Sequence, residues 1–114
     1  MRRAFLAAIL AALAGSAQAQ QNELQDIGCS GEGALHAIDE KTQTEVTFFN
    51  QSPKPIRIYW LDHHGIRKFG SEIRPGDSYV QLTYVTHPWV VTNATRACLA
   101  IFQPEAESAI VVVH

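Results

Sequence analysis

The sequence predicts an all-β protein, a small antiparallel sandwich of about seven to eight short strands. Three observations predict it. The apolar residues fall in short runs of four to six, rich in Val, Ile, Thr and aromatics; turn-forming residues separate the runs; and the 3.6-residue period of an amphipathic helix is missing after residue 20.

In order, the runs are Leu35 to Ile38, Glu45 to Asn50, Ile56 to Leu61, Ile66 to Phe69, Tyr79 to Tyr84, Trp89 to Thr92, Ala97 to Phe102 and Ala109 to Val113. Asn50 to Pro55 is a turn cluster, and Asp62-His63-His64-Gly65 supplies a tight hairpin turn. In Arg74-Pro75-Gly76-Asp77 the proline presets its φ, and Gly76 can take the positive φ of a type II turn. Pro88 stands at the start of a strand, one of the few positions a strand tolerates it.

The first nineteen residues read as a secretory signal rather than as part of the fold. Met1-Arg2-Arg3 is a short basic start, Ala4 to Ala14 an apolar run, and Ala17-Gln18-Ala19 a small-x-small cleavage site. The run is too short to span a bilayer of about 30 Å as a helix, so the expectation is a protein free of the membrane after cleavage, secreted or periplasmic. Residues 20–33 are polar and aperiodic, which suggests a flexible arm; residues 34–114 form the single expected domain.

Removing nineteen of the 114 residues leaves 95, carrying seven Lys and Arg against eleven Asp and Glu. The basic residues are scattered among carboxylates, which argues against a nucleic-acid partner and equally against an anionic membrane surface. A domain of this size has a thin stability margin. Cys29 and Cys98 are the only cysteines, and in an exported chain an even count favours a structural disulfide. A redox or metal-binding thiol pair would call for close spacing such as C-x-x-C, which is absent.

No catalytic constellation stands out. Gly28-Cys29-Ser30-Gly31-Glu32-Gly33 has neither the lysine of a phosphate loop nor the frame of a nucleophile elbow. His36, His63, His64, His87 and His114 form no ligand-spaced pair, and Asp62, Glu72 and Asp77 lie in or beside turns. The expectation is therefore a non-enzymatic protein with no metal and no cofactor.

One resemblance goes further than composition. Glu45-Val46-Thr47-Phe48-Phe49-Asn50-Gln51-Ser52-Pro53, then Tyr59-Trp60-Leu61-Asp62-His63-His64-Gly65, then Arg74-Pro75-Gly76, then Tyr84-Val85-Thr86-His87-Pro88-Trp89 follow the order and spacing of the von Hippel-Lindau β-domain family. The chain resembles that family over about residues 44 to 113. The resemblance implies a small sandwich that reads a peptide containing 4-hydroxyproline, the ring held by aromatic walls and its hydroxyl by a Ser or Thr and a His. Carried over by position, the pocket residues are Trp60, Phe69, Thr83, Tyr84, His87 and Trp89. The family has Tyr where this chain has Phe69, and His where it has Leu82. It also continues into a helical domain that recruits ubiquitin-ligase subunits; the present chain is expected to recruit none and to act as a monomer.

Strand parity leaves the role of two residues open. Thr83 shares a face with Tyr79 and Gln81, opposite Val80 and Leu82, which predicts that it looks outward. Trp60 shares its face with Ile56 and Ile58, as a core residue would, although the resemblance implies a pocket wall. Two functions follow: a secreted binding module for a proline- or hydroxyproline-bearing peptide, or a structural or interaction domain that keeps the sandwich with its aromatics in the core.

Overall fold

The computed structural model describes residues 21–114, so the expected signal segment lies outside the described residues. Eight strands follow in order: β1 (Asn22–Glu23), β2 (Gln43–Asn50), β3 (Ile56–Leu61), β4 (Arg67–Ile73), β5 (Ser78–Tyr84), β6 (Trp89–Thr92), β7 (Cys98–Phe102) and β8 (Ala109–Val113). They form two four-stranded sheets, β1-β8-β2-β5 and β4-β3-β6-β7. The predicted all-β sandwich is the architecture found.

The core lies between the sheets. Val46 and Phe48 of β2 and Ala109 and Val111 of β8 face Ile56 and Ile58 of β3, Val91 of β6 and Phe102 of β7, all buried. Full burial of a Val, Ile or Phe side chain stabilises by roughly 1.5–3 kcal/mol. Turn chemistry sets the links. In the β3–β4 hairpin the Asp62 carboxylate accepts the amides of His64 and Ile66 at 2.8 and 2.9 Å, and Gly65 takes φ 75°. Gly76 has φ 84°, and Asp77 N–H donates to Arg74 O at 3.0 Å, closing the predicted turn that carries the chain from one sheet to the other. Asn50, fully buried, organises the β2–β3 turn: its Nδ2 donates to Lys54 O and Ile73 O, and its Oδ1 accepts from Ser52.

Four features differ from the sequence expectation. The sandwich is mixed rather than antiparallel, because β8 pairs parallel with both β1 and β2. After β7 the chain crosses between sheets and enters the first sheet at the end where β1 and β2 begin. Leu35 to Ile38 is not a strand. Ala37 N–H reaches the carbonyls of Leu61 and Asp62, and Leu35 packs on the outer face of the second sheet against Tyr59, Leu61, Val90 and Ile101, so the apolar pattern reflects covering rather than pairing. The fourth strand runs on to Ile73 instead of ending at Phe69, its polar second half paired with Ile56, Arg57 and Ile58.

The segment expected as a loose arm is tied down repeatedly. Asn22 and Glu23 pair with β8, Ile27 N–H donates to Ile101 O, and the Asp26 carboxylate accepts Ile101 N–H. Residues Cys29–Ala34 form a short 3₁₀ helix. Cys29 and Cys98 form the expected disulfide, with Cα atoms 6.0 Å apart. Glu32 then grips Arg67 through two hydrogen bonds of 2.7 and 2.8 Å, and that pairing holds its carboxyl below the usual carboxylate range.

Candidate binding cleft

Strands β4 and β5 are consecutive in the chain but belong to different sheets, each at an edge. Between these two edges the sandwich opens into a cavity of about 530 Å³. Trp60 from β3, Phe69 from β4, Thr83 and Tyr84 from β5, His87 from the β5–β6 loop and Trp89 from β6 all line it. The six residues named by the resemblance thus meet at one concavity.

The floor is Trp89, buried, whose indole Nε1–H donates to Thr83 Oγ1 at 2.9 Å. Gly70 lies against the same ring. A Cβ there would sit 2.8 Å from Trp89 Cζ3 and 3.2 Å from the Ile58 carbonyl, so only bare backbone fits. Gly70 is also the extra residue of a bulge, for Tyr59 pairs with Phe69 and Ile58 with Ser71. A glycine inside a strand pattern is the signal that could have found it.

Thr83 departs from expectation. The parity of β5 is as predicted but its direction is reversed: Thr83 is 7% exposed and points between the sheets, while Leu82, at 71%, points out. The inward face of an edge strand here meets the cleft instead of apolar core, so a hydroxyl fits where a leucine would be expected. Tyr79 and Gln81, four and two residues before Thr83 on that face, also line the cavity. Neither came from the resemblance, although period-2 spacing from Thr83 points to both.

Trp60 serves both surroundings. It packs on the main core beside Ile56 and Ile58 and presents itself to the cavity, stacked on His87 with ring centroids 5.7 Å apart and planes 21° apart. Its Nε1–H donates to His87 Nδ1 at 3.1 Å, which leaves the imidazole proton on Nε2, 2.9 Å from Ile38 O. His87 is therefore bonded at both nitrogens. Phe69, 62% exposed, is a wall at the rim, its ring edge-on to Tyr59.

Among the described residues the cleft lining contains no carboxylate. Asp62 lies just outside it with a carboxyl held low by the amides of Ile66 and His64 and by Lys68, whose Nζ is 3.9 Å away. Among the described residues no group of three or more His, Cys, Asp or Glu is arranged to hold a metal ion. What the site offers is an apolar slot with a few fixed polar groups, the form of a recognition pocket.

Comparison with known proteins agrees with the resemblance. A family model, the VHL beta domain, matches residues 35–106. No curated protein matches the chain.

Proposed function

The chain belongs to the VHL beta domain family, and from that membership we propose that it is an exported, non-catalytic binding module whose cleft takes the ring of proline or 4-hydroxyproline in a peptide. The family consists of protein-interaction modules that bind protein or peptide partners. The observation that carries the reading is the convergence of two indoles, Trp60 and Trp89, with the Thr83 hydroxyl at one open concavity. Indole faces suit the C–H groups of a saturated ring. Thr83 Oγ1 accepts from Trp89, so its own O–H remains to donate to a ligand hydroxyl. Export rests on the basic and apolar start of the sequence and accords with the disulfide.

A second reading has its own support. The Thr83–Trp89 and Trp60–His87 hydrogen bonds engage both indole N–H groups within the protein, as in a domain that uses the sandwich for another contact. Calorimetric titration with paired peptides, identical but for hydroxylation of one proline, separates the two. The first reading expects the hydroxylated peptide to bind about 5- to 150-fold more tightly, the equivalent of roughly 1 to 3 kcal/mol, with the difference lost in Thr83→Val. Equal affinity for the two peptides would sink it and leave the second.

A further inference from the structure

The turn Tyr84–His87 carries a conformation unsuited to its sequence. His87 N–H donates to Tyr84 O at 3.2 Å, closing a four-residue turn, and the third residue, Thr86, has φ 69°. That position of a type II turn belongs to Gly or Asn, and a β-branched residue there is a genuine outlier. A second unfavourable feature falls on the same residue. Thr86 Oγ1 is buried without a hydrogen-bond partner among the described residues.

Neighbouring chain keeps the turn in this state. Thr86 N–H donates to Pro104 O at 2.8 Å, Gln103 Nε2 donates to Thr86 O at 3.2 Å, and Val85 N–H donates to Thr42 O at 3.0 Å. The next residue is His87, bonded to Trp60 and facing Ile38 O. A strained link directly precedes the one cleft residue whose two nitrogens are already engaged.

We propose that Thr86 is a positioning residue that holds the Tyr84–His87 turn under strain and so makes the Trp60–His87 hydrogen bond easy to open, releasing His87 Nδ1 to a ligand. Turning the Val85–Thr86 peptide over would relax Thr86 and withdraw the imidazole from Trp60. Strain acts only on the closed state, so it raises the population of the released one. A residue held in this region costs about 1–3 kcal/mol, which corresponds to a factor of roughly 5 to 150 in that population. A ligand that uses His87 then binds with an apparent affinity proportional to the released fraction. The ligand half of the argument rests on the peptide reading above; the opening of the turn does not.

Hydrogen exchange of the two indole N–H groups, followed by NMR in the ligand-free protein, tests the proposal. Glycine adopts φ 69° without strain. Thr86→Gly should slow exchange at Trp60 Nε1–H by about 5- to 150-fold relative to any change at Trp89, whose N–H is bonded to Thr83 and serves as the internal reference. Thr86→Asn, suited to the same region, should slow it in the same direction and replaces the glycine variant should that one fail to fold. Thr86→Val keeps the branched Cβ and removes the orphaned hydroxyl, and should leave Trp60 exchange as fast as in the parent. Exchange at Trp60 that is unchanged in Thr86→Gly, that merely follows Trp89, or that slows equally in Thr86→Val would overturn the proposal. Titration of the same variants with the paired peptides reads the ligand half. Thr86→Gly should weaken the hydroxylated peptide by the factor seen in exchange and leave the unmodified one unaffected. A parent protein that does not distinguish the peptides defeats the hydroxyproline reading, while the exchange result still decides the strain.

Discussion

Thr83 and Trp89 lie on strands of opposite sheets and meet through one hydrogen bond, Nε1–H to Oγ1 at 2.9 Å, with both residues buried. The bond ties the edge strand β5 to the centre of the other sheet and fixes the orientation of the indole that floors the cleft. Its loss leaves a buried donor without a partner, a heavier penalty than the net worth of the bond itself.

Thr83→Val should therefore lower unfolding stability by about 1–3 kcal/mol, measured as a shift of the urea midpoint at constant slope. Thr83→Ser keeps the acceptor and should recover most of the loss. Equal destabilisation by both variants would mean that the methyl group, not the oxygen, matters at this position.

Gly70→Ala sets a Cβ 2.8 Å from a buried ring and 3.2 Å from a backbone carbonyl, neither of which can move aside cheaply. The expected cost is about 1–3 kcal/mol, accompanied by a change in Trp89 fluorescence as the indole shifts. A substitution without effect on either signal would show that the bulge in β4 relaxes freely.

Breaking the Cys29–Cys98 bridge opens a loop spanning 69 positions, for which chain-entropy models give about 4 kcal/mol. Cys29→Ser with Cys98→Ser should lower the urea midpoint accordingly. The double variant should also expose the outer-face cluster of Tyr59, Leu61, Val90 and Ile101, which limited proteolysis between residues 28 and 42 would report. A midpoint within error of the parent would contradict this.

The Glu32–Arg67 pair gives the stability a defined pH dependence. Hydrogen bonding to Arg67 lowers the folded-state pKa of Glu32 from 4.5, so the unfolded chain takes up a proton at higher pH than the folded one does. The contribution is complete above that unfolded value and fades as pH falls through the lower folded one, so stability decreases with acidification there. Glu32→Gln should flatten the profile below about pH 4.5 in proportion, with the remaining slope owed in part to Asp62, whose pKa is lowered in the same sense by the amides of Ile66 and His64. Superimposable profiles for parent and variant would refute the assignment.

The sequence carried the fold wherever local chemistry decides it. Gly65 and Gly76 sit in the turns their neighbours foretold, and seven of the eight apolar runs coincide with strands. It was silent where tertiary contacts decide. Nothing local distinguishes Leu35 to Ile38, which covers a sheet, from a segment that joins one. The polar stretch from Asn22 to Gly28 is ordered by partners on β7 and β8, more than 70 residues away in the chain. Parity gave the two faces of β5 correctly but could not orient them, since the usual rule that apolar residues point inward fails at a cleft. The strain at Thr86 is invisible to any pattern, because a threonine in a Tyr-Val-Thr-His stretch gives no hint of a positive φ.

The place of β8 has a consequence for how the protein is made. It is inserted between β1 and β2, and Val111 at its centre is fully buried against the core. Its neighbours in the sheet are synthesised some 60 to 90 residues earlier, so the first sheet cannot be completed until residues 109–113 have emerged. The Cys29–Cys98 bridge, too, joins segments 69 positions apart and forms only after β2 to β6 have been made. The β2–β5 pair and the whole second sheet involve no residue beyond Phe102, so β8 acts as the closing strand that joins β1 to a framework able to pair before it.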